Sequence, residues 1–258
     1  MRNILTFLWP ACGLGLGMLL LLEAGRRIGI WQRGKNPEAA DKESGAVDAA
    51  IFGLMGLLIA FTFSGAASRF DERRHLIVQE ANAIGTFYLR LDLLPAESQG
   101  TLREKMRQYV DARLAFYRKL SDQDEAKTEM ERSTTLQLAI WSEAVAGSRR
   151  AGLPSVMTLV LSAANDMIDI TTTRSMALKM HPPPIIFGML GVLVLVSSLL
   201  AGYGMAGSRR RNWLHMLIFA AMMSIAIYVI LDLEYPRFGL IRVDATDQVL
   251  VDLRQSMK

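Results

Sequence analysis

The sequence predicts an all-α membrane protein: four transmembrane helices per subunit, with a helical extramembrane domain between spans 2 and 3. Three observations carry this. Residues 4–22, 49–68, 185–208 and 213–231 contain no Asp, Glu, Lys or Arg, although 21% of the 258 residues are charged. Each run is close to the ~20 apolar residues that an α-helix needs to cross a ~30 Å hydrocarbon core. The remaining sequence shows helical rather than alternating apolar spacing. A wholly soluble protein, a secreted disulfide scaffold and a single-anchor enzyme are all excluded by these runs.

The first run follows Arg2, as a secretory signal would. It is longer than the ~7–15 residues of a signal core and meets Glu23-Ala24-Gly25-Arg26-Arg27 with no small-x-small cleavage pattern, so an uncleaved span is expected. The single cysteine, Cys12, lies inside it and has no partner for an intramolecular disulfide. Gly13 and Gly17 form a GxxxG pair, which suggests close helix packing there. The second run continues without proline from Asp48 to Leu94, and Pro95 is the first firm stop. A helix of that length reaches ~70 Å, well beyond the bilayer, which suits a pore-lining element or a helix packed into an extramembrane bundle.

The segment 69–184 reads as a helical domain. Leu102, Met106, Tyr109, Val110, Leu114, Tyr117 and Leu120 recur at helical spacing among Arg and Lys. A polar turn follows at 121–125, then a helix around Leu136, Ile140 and Trp141. Gly152-Leu153-Pro154 restarts the chain with proline suited to a first helical turn, and Pro182-Pro183-Pro184 stiffens the approach to the third span. Only residues 240–243 hint at a strand. The expected domains are therefore 1–68 (spans 1 and 2), 69–184 (helical domain), 185–233 (spans 3 and 4) and 234–258 (a C-terminal tail).

Charge leaves the orientation open. The two short connections carry Arg26, Arg27, Arg33, Lys35, Lys42, Arg209, Arg210 and Arg211. The opposite side has Arg2, Arg237, Arg242, Arg254 and Lys258, together with Arg69, Arg73, Arg74, Arg174 and Lys179 of the long segment, which the positive-inside rule discounts. The formal net charge of +4 is read as membrane-facing, with lipid and not nucleic acid as the partner.

No catalytic set emerges. His75, His181 and His215 are scattered, and there is no H-E-x-x-H, G-x-S-x-G or P-loop. The chain is expected not to be an enzyme and to need no cofactor; metal binding is left open. Asp166 and Asp169, beside Asn165 and a turn before Arg174, would bind a cation or pair with Arg69, Arg73 and Arg74; pairing is preferred. Asp232 and Glu234 close the fourth span, where acids at a pore exit would concentrate cations. Met55, Ile59 and Phe63 recur every fourth residue of the second span, set against Gly53, Gly56, Ala60, Gly65, Ala66 and Ala67. Around a symmetry axis that large face would make an apolar constriction; otherwise it packs.

The run from Ile59 through Ala67-Ser68-Arg69-Phe70-Asp71-Glu72-Arg73-Arg74 resembles the bestrophins, although one residue is inserted and their paired tryptophans are absent. From the second span onward the chain is closer to a bestrophin-like family of four-span membrane proteins. Its landmarks are Arg69 to Arg74 through Glu80-Ala81-Asn82-Ala83-Ile84-Gly85-Thr86 to Leu94-Pro95, then Asn165-Asp166-Met167-Ile168-Asp169 with Arg174, then Asp232-Leu233-Glu234-Tyr235-Pro236-Arg237-Phe238-Gly239. The resemblance implies a homo-oligomeric, pentameric ion channel of the inner (plasma) membrane, with cytoplasmic termini and a cytoplasmic helical domain. Membrane lipid, copies of itself and a permeant ion would be its partners. It implies a pore neck at Met55, Ile59 and Phe63, or at Gly56, Ala60 and Ser64 if the register slips by one. Asp48, Arg69, Asp71, Glu72, Arg73, Asp232 and Glu234 would stand at the pore mouth or vestibule. Glu80, Asn82, Asn165, Asp166, Asp169 and Arg174 would form a polar network in the helical domain. The alternative reading is a non-conducting scaffold or sensor whose helical domain binds a soluble partner.

Overall fold

The computed structural model describes residues 2–35, 44–207 and 211–257. Lys42, Arg209, Arg210 and Lys258, counted above for orientation, lie outside them. The order is α1 (Arg2–Lys35), α2 (Ser44–Arg90), α3 (Ala96–Arg118), α4 (Gln123–Ala151), α5 (Pro154–Lys179), α6 (Pro184–Gly204), α7 (Trp213–Glu234) and α8 (Gln248–Ser256), with 3₁₀ turns at Leu91–Leu93 and Met205–Gly207. No strand occurs among the described residues. Four helical stretches, centred on α1, α2, α6 and α7, are long and apolar enough to cross a membrane.

The chain divides into two units. Residues 1–68 and 181–241 form the first; residues 69–180 and 242–258 form the second. The sequence-based tail 234–258 is thus shared out between them.

In the first unit α1 packs along both α6 and α7. The tightest approach is made by glycine, but not by the expected pair. Gly13 has open space where a Cβ would stand, and Gly17 meets only the end of Leu195. Instead a Cβ on Gly25 would strike the carbonyl of Leu199, one on Gly29 the Tyr203 carbonyl at 2.8 Å, and one on Gly202 the carbonyl of Leu22. Gly25 and Gly29 also form a GxxxG pair; they lie past the charge-free run, so a search confined to that run does not reach them.

The second unit has the larger core. Ile84, Phe87 and Leu91 meet Leu102, Met106, Tyr109 and Val110 of α3, Ile140 and Ala144 of α4, and Val160, Ala164 and Met167 of α5. The local signals act as expected. Asp122 caps α4 by accepting from the Asp124 and Glu125 amides, both at 3.2 Å. Gly152 ends α4 at φ 70°, in the left-handed region that glycine adopts without strain. Pro154 then opens α5. Of the residues placed by spacing in α4's apolar stripe, Ile140 is fully buried and Trp141 is 37% exposed.

Candidate functional site

Helix α2 is the least covered of the four spans: 6% of its most apolar window is buried, against 22% to 28% in the others. Its covered stripe contains Met55 and Ala66, flanked by the half-buried Ile59 and Thr62. At 100° per residue the opposite face carries Gly53, Leu57, Phe61, Ser64 and Ser68, all exposed. Leu57 and Phe61 are 52% and 67% exposed. The three sequence-derived neck residues therefore do not share one exposure: Met55 is 5% exposed, Ile59 half-buried and Phe63 46% exposed. Gly56, Ala60 and Ser64, one residue further, are exposed throughout. Asp48 and Arg69 are half-buried; Asp71 and Glu72 are exposed, with Asp71 3.5 Å from Arg74.

At the end of α7 both acids turn inward. Asp232 and Glu234 are fully buried. The Asp232 carboxylate accepts from the backbone amides of Leu240 (3.0 Å) and Ile241 (2.9 Å). It occupies the place a Cβ on Gly239 would need, which accounts for glycine there. This clasp makes residues 240–243 a bent segment and not the strand their alternation suggested, because the amides that would face a neighbouring strand are taken by a side chain. Glu234 Oε1 lies 3.0 Å from His181 Nδ1, and the His181 ring stacks on Tyr235.

The second unit holds a buried charge cluster. Glu80 of α2 is fully enclosed. Arg113 of α3, also 0% exposed, donates from Nε to Glu80 Oε1 at 2.6 Å. Arg174 of α5 reaches Glu80 Oε2 with one nitrogen and Asp247 Oδ1 with the other at 2.9 Å. Tyr117 accepts from Arg113 and lies under the Arg174 guanidinium, 3.5 Å from its ring centroid. Two arginines against Glu80 and Asp247 bring the cluster's formal charge to zero. Burial works against the Arg113 charge, but the Glu80 carboxylate outweighs it and raises the arginine's pKa. Beside this cluster, Tyr109 and Gln137 hydrogen-bond Thr171 at 2.7 and 3.1 Å.

Of the expected polar network only Glu80 and Arg174 meet here. Asn82, Asn165, Asp166 and Asp169 are exposed, and Asp169 accepts from Asn165 at 2.7 Å. Arg73 is buried and donates to the carbonyls of Ala177 (3.2 Å) and Met180 (3.0 Å), at the end of α5. Among the described residues no three His, Cys, Asp or Glu side chains gather as metal ligands. Arg113, Tyr117, Asp247 and the His181–Glu234 pair were not anticipated. Arg113 had a readable signal: it stands four residues before Tyr117, inside the apolar stripe of α3.

Burial, and then the negative charge of Glu80, push the Tyr117 hydroxyl pKa up from its usual value near 10. Below pH ~10 the phenol is protonated in folded and unfolded chains alike. Above it the unfolded chain loses the proton first, so stability falls as pH rises toward the folded pKa. Thermal melts between about pH 9 and 11 should show a steep alkaline limb that Tyr117→Phe flattens; an unaltered slope would place the titrating group elsewhere.

The described architecture matches solved structures along nearly its whole length. Three crystal structures of a bacterial bestrophin homologue from Klebsiella pneumoniae, two single-substitution variants and a form solved by Zn-SAD phasing, superpose with TM-scores of 0.68, 0.67 and 0.64. Identities are 18%, 17% and 18%; the alignments cover 94%, 94% and 92% of this chain and 98%, 97% and 97% of the others. At that identity the likeness is one of fold. A search of curated protein sequences finds no match. Residues 33–247 match the Bestrophin-like domain, a region that takes in α2 to α7, so this multi-pass membrane protein belongs to the bestrophin-like family.

Proposed function

We propose that the chain is one subunit of a homo-oligomeric, pentameric ion channel of the inner membrane, with cytoplasmic termini and α2 lining the pore. One observation carries the reading most: the exposed face of α2 changes character along its length. Leu57 and Phe61 are followed in the same register by Ser64, Ser68 and Asp71. A face turned to acyl chains gains nothing from hydroxyls, whereas a pore gains an apolar neck opening toward water. A pore-lining side chain must be exposed on the protomer, so this reading moves the neck from Met55 to Leu57 and Phe61. Gly53, Gly56 and Ala60 on and beside that face leave room for neighbouring helices to approach. The exposed Asp71 and Glu72 stand at the vestibule end; the buried Asp232 and Glu234 are assigned to the fold.

An apolar neck resists ions because water between its rings has few polar partners. Leu57→Ala with Phe61→Ala should therefore raise single-channel conductance in planar bilayers while the oligomer stays intact by size-exclusion chromatography. Met55→Ala should instead cost about 2–5 kcal/mol through the cavity it leaves, with no gain in current. Unchanged flux through an intact double variant would remove this face from the pore, and a stable monomer in nanodiscs would remove the oligomer.

A further inference from the structure

At one membrane end of the first unit, three arginines gather around one glutamate. Glu23 and Arg211 are the first charged residues beyond the apolar runs of α1 and α7, so both stand at the bilayer boundary. There they bridge the two elements: Glu23 Oε1 accepts from Arg211 Nη2 and from Arg27 Nε, each at 2.9 Å. Arg26 completes the group, and its charge acts on the same carboxylate. Among the described residues three arginines face one glutamate, a formal surplus of two positive charges. Arg26 is 8% exposed. Three guanidinium groups around one carboxylate at a bilayer boundary attract an anion. The cluster also has an unmet acceptor: Glu23 Oε2 is buried with no hydrogen-bond partner.

The surroundings indicate where the anion comes from. Trp213, beneath Arg211, and Trp31 are 49% and 61% exposed, as tryptophans at the headgroup level are. At that depth the abundant anion is the phosphodiester of a lipid, whose oxygens suit the fork of an arginine. We infer that Arg26, Arg27 and Arg211 bind the phosphate of an anionic phospholipid whose headgroup carries a hydroxyl, as phosphatidylglycerol does. The hydroxyl donates to Glu23 Oε2, and the phosphate faces the three guanidinium groups.

The test uses the full chain, delipidated in mild detergent, with native mass spectrometry and thermal melts as readouts. Added phosphatidylglycerol should be retained and should raise the melting temperature, more than phosphatidylethanolamine or phosphatidylcholine does. Arg26→Gln should weaken retention about tenfold, the scale of one charge-assisted hydrogen bond, while Arg118→Gln, on the exposed face of α3, should not. If Arg26→Gln yields no folded protein, Arg27→Gln, at a side chain 72% exposed, carries the same expectation. Equal retention of phosphatidylcholine or phosphatidylethanolamine would overturn the anionic assignment. Equal stabilisation by inorganic phosphate would replace the lipid with a free ion, and unchanged retention in the arginine variants would remove the site.

Discussion

Glu80→Ala is expected to unfold the helical unit, not merely loosen it. The substitution removes one small carboxylate but leaves Arg113 and Arg174 enclosed, with Asp247 the only acid remaining in the cluster. Breaking a buried ion pair from one side typically costs about 3–5 kcal/mol, because the surviving charge has neither water nor a partner. Against a domain stability of roughly 5–15 kcal/mol, that is a large fraction. Circular dichroism melts of the purified protein should show a large fall in the helical transition, and limited proteolysis should cut within 96–180. Replacing Glu80, Arg113 and Arg174 by methionine and Asp247 by asparagine, so that no charge of the cluster is left behind, should recover much of the loss, since packed apolar groups of similar volume carry no desolvation penalty. A Glu80→Ala protein that melts like the wild type would mean that water or another acid reaches these arginines.

Gly202→Val is expected to separate α1 from α6. A side chain there has nowhere to retreat, because the obstacle is the Leu22 carbonyl and not the flexible end of a side chain. Overpacking a core by a methylene or two costs about 1–3 kcal/mol when neighbours can move aside; contact with backbone should exceed that range. Gly25→Val, against Leu199, should behave alike. Gly13→Ala provides the contrast: with open space around it, it should be neutral or slightly stabilising through the ~1 kcal/mol gain in helix propensity. Thermal stability by size-exclusion chromatography would rank the three. Equal stability of all would mean that α1 is not held by close approach.

How far the sequence anticipates this molecule depends on the range of the interaction. The spans, the caps and the stop at Pro95 rest on contiguous residues, and each stands close to where the pattern puts it. The buried stripe of α2 does not. Met55, Ile59 and Phe63 look like one face because they are large, but the small Ala66 marks the side that packs, and Leu57 and Phe61 are left outside. Size alone cannot tell a face turned toward the protein from one turned away from it. The charge cluster is legible only in part: Glu80 and Arg174 belong to recognisable segments, whereas Asp247 lies 73 residues from the arginine it neutralises. The Asp232 clasp was hidden for another reason. An acid after an apolar run looks solvent-facing until the turn that folds back over it is known.

The position of Asp247 also constrains the order in which the protein is made. Every other member of the buried cluster has been synthesised by residue 174, but its fourth charge belongs to a segment that follows two further membrane spans. At roughly 5–20 residues per second, the ribosome adds that segment several seconds later. Until then the helical unit has two arginines against the single carboxylate of Glu80, so its cluster reaches neutrality only after α6 and α7 have been made. The last charge of the helical unit is thus supplied only after both later spans are in the chain. A chain released before Asp247 would leave Glu80 alone against two arginines.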